Sequence, residues 1–155
     1  KDLGPATVDT IACSPDGSEL AVVDESGKVI TLELPTGIEL GTIQSNDRIG
    51  CVAYSPDGKH LLTGSRELQL WDARTGELKW GHRHLDSDSR LAKFSPDGKS
   101  IVAAIGHHFL VMIDPSSGEI TEELQNDEGQ TSCFAFSPDS QTLAVGTWDT
   151  NAVVL

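Results

Sequence analysis

Basic side chains are scarce in this chain. Its 155 residues hold 11 Lys and Arg against 24 Asp and Glu, a formal net charge of −13. A nucleic-acid backbone or an anionic membrane surface demands clustered Lys and Arg, so neither is expected as the main partner. Long apolar runs are also missing. The longest, such as 101–105, fall far short of the roughly 18 residues a membrane span needs. No helical period of useful length occurs. Cysteine is limited to Cys13, Cys51 and Cys133, an odd count without close spacing. That fits neither a disulfide framework nor a zinc site. Buried, reduced thiols acting as small hydrophobes are the expected reading, in keeping with a reducing compartment. No basic-then-apolar leader opens the chain, so a cytoplasmic location is expected. The only methionine is Met112, so Lys1 is read as a processed end or an internal cut.

Catalytic signatures are absent too. There is no Gly-x-Ser-x-Gly elbow, no P-loop and no dinucleotide fingerprint, and no nucleophile–base pair stands out. Intrinsic catalysis and a cofactor are therefore not expected.

What is present is a repeat. Ser14-Pro15-Asp16-Gly17 recurs at Ser55-Pro56-Asp57-Gly58 and Ser95-Pro96-Asp97-Gly98, and with one change at Ser137-Pro138-Asp139-Ser140. The period is about 41 residues. Each copy suits a tight turn, in which Pro sets φ, Asp bonds nearby backbone and Gly accepts positive φ. Asp16, Asp57, Asp97 and Asp139 are thus assigned structural roles. Apolar residues alternate before each turn: Ile11 and Cys13, Val52 and Tyr54, Ala92 and Phe94, Phe134 and Phe136. That period marks a strand with one face buried. Strand-length apolar runs follow around Leu20, Leu61, Ile101 and Leu143. Third strands are expected at 29–32, 68–71, 109–113 and 152–155, and more polar fourth strands at 39–43 and 119–124. Each unit reads as four antiparallel strands. One such sheet cannot cover both of its faces, and radial stacking solves that problem, as in a β-propeller.

The units resemble blades of the WD-repeat propeller family over essentially the whole chain. The best match runs from Cys51 through the Ser-Pro-Asp-Gly turn to Leu70-Trp71-Asp72, the only true copy of the signature dipeptide in its expected place. Leu32-Glu33 and Ile113-Asp114 stand at the equivalent positions. Trp148-Asp149 comes ten residues too early and belongs to a hairpin. The resemblance implies an all-β fold of about four blades, at about 6–44, 45–84, 85–125 and 126–155, the last without its outer strand. Trp71 and Asp72 are read as structural. Only pieces of the family's hydrogen-bonded set occur: Ser65 with Trp71, Thr147 with Asp149, and His84. An incomplete ring is expected, about half of a larger propeller, with a ring of two copies as the second option. Missing blades or a second copy would close it.

The implied function is a non-catalytic scaffold that displays rim loops to a protein or peptide partner. The alternative is a regulatory or substrate-binding module of an enzyme whose catalytic domain lies outside this chain. The candidate rim residues are Arg48, Arg66, His84, Asp86, Asp88, His107, His108, Asp127 and Trp148. Trp148 is the leading candidate, since an exposed Trp buries much area at low entropy cost; folding down onto the adjacent blade is the competing reading. His82 and His84 alternate in extended chain and could face one ion with Asp86 and Asp88. A solvated polar loop is the preferred reading, so no metal site is assigned. Trp80 is read as a packing residue.

Overall fold

A computed structural model describes residues 8–45, 47–83, 91–106, 109–125, 130–148 and 153–154. Every regular element among them is a β-strand. The first sheet is β1 (Val8–Cys13), β2 (Glu19–Asp24), β3 (Lys28–Glu33) and β4 (Glu39–Gln44). The second is β5 (Cys51–Tyr54), β6 (His60–Gly64), β7 (Glu67–Asp72) and β8 (Leu78–Arg83). The third is β9 (Ala92–Phe94), β10 (Ile101–Ile105), β11 (Phe109–Ile113) and β12 (Ile120–Gln125). The last is β13 (Thr131–Phe136), β14 (Leu143–Thr147) and β15 (Val153–Val154). Each sheet is an antiparallel meander in chain order. These are propeller blades, and the ring is not closed.

The repeated turns carry a relay of hydrogen bonds. In each, the Ser hydroxyl donates to Asp Oδ1 and accepts from the backbone N–H five residues on. In the second turn, Ser55 Oγ donates to Asp57 at 2.6 Å and accepts from His60 N at 2.9 Å. Asp57 Oδ1 also accepts from Lys59 N at 3.1 Å. The same pattern holds at Ser14, Ser95 and Ser137. It satisfies N–H groups that a tight turn would otherwise leave unpaired. The fourth copy has Ser140 where the others have Gly, and Ser140 adopts φ 61°. Its hydroxyl accepts from Asp97 N of the neighbouring sheet at 3.1 Å. A residue strained for its backbone thus ties two blades together.

Three apolar cores lie between successive sheets. Ala21, Val23, Val29 and Ile43 of the first sheet meet Val52, Tyr54, Leu61 and Trp71 of the second. Leu62, Leu68 and Leu70 meet Ala92, Ile101, Ala103, Val111 and Ile113. Val102, Ala104 and Leu110 meet Phe134, Leu143 and Val145. Polar ties reinforce each seam. Tyr54 Oη donates to Glu19 Oε2 at 3.1 Å, Trp80 Nε1 to the Pro115 carbonyl at 2.8 Å, and Lys93 Nζ to the Phe134 carbonyl at 3.2 Å.

The first sheet departs from the alternation expected of it. Ile11 is 57% exposed and Cys13 is exposed, although Val52 and Tyr54, at the same repeat positions, are buried. Ile38 and Leu40 are exposed as well. No described sheet covers this face. The expectation of buried thiols is corrected for the same reason. Cys133 is exposed on the free side of the last sheet, whereas Cys51 sits in the second seam. There, burial pushes its thiol up to about 11.

Candidate functional site: the hairpin rim

An antiparallel meander sends its turns to two opposite rims. The turns after the first and third strands share one rim. The hairpins between second and third strands, and the links between sheets, share the other. Arg48, Arg66 and Trp148 all fall on this second rim: Arg48 in the β4–β5 link, Arg66 in the β6–β7 hairpin and Trp148 just after β14. His84, Asp86, Asp88, His107, His108 and Asp127 lie outside the described residues.

Trp148 is 74% exposed. Its backbone N–H donates to the Gln130 carbonyl at 3.0 Å, which holds the hairpin base while the indole projects. Arg48 is also exposed, but it is not idle. Its Nε and Nη2 donate to Asp9 Oδ2 and Oδ1 at 2.9 and 3.0 Å, a bidentate pair between the β4–β5 link and β1. The Arg48 hydrogen bond holds the Asp9 carboxyl below its usual range. Ile49, next in the chain, is buried in the first core and anchors this link. Nothing in the sequence marks Asp9 as the partner of a residue 39 positions away. Arg66 is exposed at its hairpin and engaged with neighbouring groups.

The four innermost strands β1, β5, β9 and β13 border a shared open cleft of about 640 Å³. Its wall is small and neutral at Thr10, Ala12, Ala53 and Ala135, with Lys93 as its ammonium group. Among the described residues, no group of three or more His, Cys, Asp or Glu is placed to hold a metal ion. No described helix is long and apolar enough to cross a membrane.

Behind the rim, Trp71 is buried and its Nε1 donates to Thr63 Oγ1 at 2.9 Å. The expected partner, Ser65, is instead spent on its own hairpin, donating to the Glu67 carbonyl and accepting from Glu67 N. Thr63 lies on the strand face that carries Trp71, whereas Ser65 has passed the strand end. Asp72 caps the next turn through Arg74 N and Thr75 N, at 3.1 and 2.8 Å. These bonds, that to Thr75 foremost, keep its carboxyl below the ordinary range.

The family model described as "WD domain, G-beta repeat" matches residues 37–72 and 118–154. Each match opens on the turn before a fourth strand and runs through the third strand of the following blade. The chain is 27% identical over 135 residues to echinoderm microtubule-associated protein-like 3 of Mus musculus, covering 86% of this chain and 15% of that protein. It is 28% identical over 128 residues to meiotic recombination protein rec14 of Schizosaccharomyces pombe, covering 77% and 42%. It is 30% identical over 122 residues to WD repeat-containing protein SL1-17 of Schistosoma mansoni, covering 77% and 40%. The chain therefore spans less than half the length of each of these relatives.

Proposed function

We propose that this chain, which belongs to the WD-repeat family, is the non-catalytic scaffold part of a protein-interaction propeller whose hairpin rim holds a protein or peptide partner. The observation that carries this reading is Trp148, three-quarters exposed directly after strand β14. An indole displayed to water buries much area at low entropy cost when a partner covers it, which suits it to anchor one. Arg48 supports it from the same rim, a planar donor pre-positioned by Asp9. In this reading His84, Asp86, Asp88, His107, His108 and Asp127, which lie outside the described residues, add polar contacts to the partner. The mechanism is rigid display: the blades keep the loops in place, so little ordering entropy opposes binding.

A photo-crosslinking residue at position 148, compared with one at the exposed Glu123 on the outer strand β12, tests the proposal in extract from the source cells. A partner captured only from position 148 is then purified. Its affinity is expected to fall at least about tenfold for Trp148→Ala, the size of an aromatic anchor's contribution. Equal capture from both positions, or an affinity that Trp148→Ala leaves unchanged, overturns the reading.

A further inference from the structure

We propose that the seam between the second and third sheets carries a second docking groove, on the rim of the Ser-Pro-Asp-Gly turns, for an extended peptide that alternates apolar and basic side chains. This rim is opposite to the one that holds Trp148, so the groove stands independently of the reading above.

The groove is a cleft of about 680 Å³. Its apolar lining comes from Leu70 and Trp80 of the second sheet and Phe94 of the third. Trp80 spends its only polar atom on the Pro115 carbonyl, so the indole offers a guest nothing but hydrocarbon and π surface. Asp57 and Asp97, one from each turn, stand in the walls. Each has Oδ1 committed to its own turn. Each Oδ2 lies 3.5 Å from a lysine ammonium, that of Lys59 or Lys99, whose side chains are 76% and 82% exposed. Such exposed pairs contribute little and exchange readily for a better-placed cation. The lining ammonium, Lys79, already lies 3.1 Å from Glu77 Oε2 and 3.8 Å from Asp72 Oδ2. An anionic guest would meet two wall carboxylates and an answered ammonium. A cationic guest would meet two available carboxylate oxygens beside an aromatic floor. The net charge of −13 steers the same class of guest toward the surface. Side chains of an extended segment alternate in direction, so apolar residues can seat on Trp80 while every second residue reaches the walls.

The test uses the 155-residue chain and three short synthetic peptides: one alternating Leu with Arg, one alternating Leu with Glu, and one alternating Gly with Arg. The Leu–Arg peptide is expected to shift the NMR signal of the Trp80 indole N–H and to leave that of Trp148 in place. Lys79→Glu, an exposed substitution outside the turns, is expected to tighten its binding several-fold. Asp57→Asn combined with Asp97→Asn is expected to weaken it about tenfold. Should the Asn pair disturb the turns, the Lys79→Glu result stands by itself. The proposal is overturned by an unmoved Trp80 signal, by equal binding of the Leu–Glu or Gly–Arg peptide, or by Lys79→Glu leaving the affinity unchanged.

Discussion

The indole of Trp80 lies so close over Gly118 that a Cβ there would sit 2.8 Å from Cδ2 and 3.0 Å from Cγ. The two residues belong to different sheets, an outer strand of the second and a turn of the third. Gly118 also has φ +75°, a region that side chains disfavour. Gly118→Ala is therefore expected to cost about 2–4 kcal/mol, from backbone strain plus displacement of a packed ring. Gly17→Ala provides the contrast, since Gly17 has φ +73° but nothing within 4 Å of a new Cβ. It should cost only about 1–2 kcal/mol. Urea unfolding of both variants checks the difference. Trp80→Ala should relieve part of the Gly118→Ala penalty in a double-mutant cycle.

Thr63 and Trp71 give a second prediction. Thr63→Val keeps the shape of the side chain but leaves the buried indole N–H without an acceptor, which costs about 1–3 kcal/mol. Thr63→Ser retains the hydroxyl and should cost less. Ser65→Ala removes only local hairpin bonds and should leave Trp71 undisturbed in near-UV circular dichroism.

Acid stability should track the turns. The Ser14 hydroxyl, then the Ser18 backbone and hydroxyl, hold Asp16 down to about 2 from an unfolded value of 3.8. Ser55, Ser95 and Ser137 act first in lowering Asp57, Asp97 and Asp139. A carboxyl depressed in the fold stabilises it above the unfolded pKa and loses that contribution as pH falls through the folded one. Stability should therefore stay level down to about pH 5 and decline between about 4 and 2. Replacing all four Asp by Asn should flatten that decline while lowering stability at neutral pH. Urea midpoints measured across the pH range give both quantities.

The Arg48–Asp9 pair should be worth little to folding despite its two hydrogen bonds. Arg48 has a side chain 71% exposed, and exposed pairs contribute about 0–1 kcal/mol. Arg48→Ala should leave the urea midpoint nearly unchanged. It should raise the Asp9 titration toward the ordinary carboxylate range, because the Arg48 hydrogen bond is the leading cause of the depression. A carbon-detected NMR titration of Asp9 reads this out.

The uncovered face of the first sheet gives a fifth prediction. Ile11, Ile38 and Leu40 of the first sheet are each more than half exposed. Light scattering is expected to show concentration-dependent self-association of the chain, and Ile11→Thr with Leu40→Thr should reduce it without lowering the unfolding midpoint. Unchanged association in that variant counts against this face as the contact.

Much of the architecture was legible in the residues alone. The Ser-Pro-Asp-Gly copies mark four hairpins because Pro, Asp and Gly each act on the backbone within a few residues. The alternation around Val52 and Tyr54 marks an inner strand by the same local logic. The third strand found at Phe109–Ile113 is where the apolar run places it. The rim was legible only in outline. That Trp148 projects follows from its place in a hairpin, whereas Asp9 as the partner of Arg48 does not.

Local geometry repeats with the sequence, so the period of about 41 residues determined the strands, their order and the two rims. The approach of one sheet to the next depends on which faces meet and how far each side chain reaches, and no local period carries that information. Tertiary structure alone decided that Ile11 is open to water while Val52 is buried, that Trp71 bonds Thr63 and not Ser65, and that Trp80 closes over Gly118 and lines a groove with Phe94.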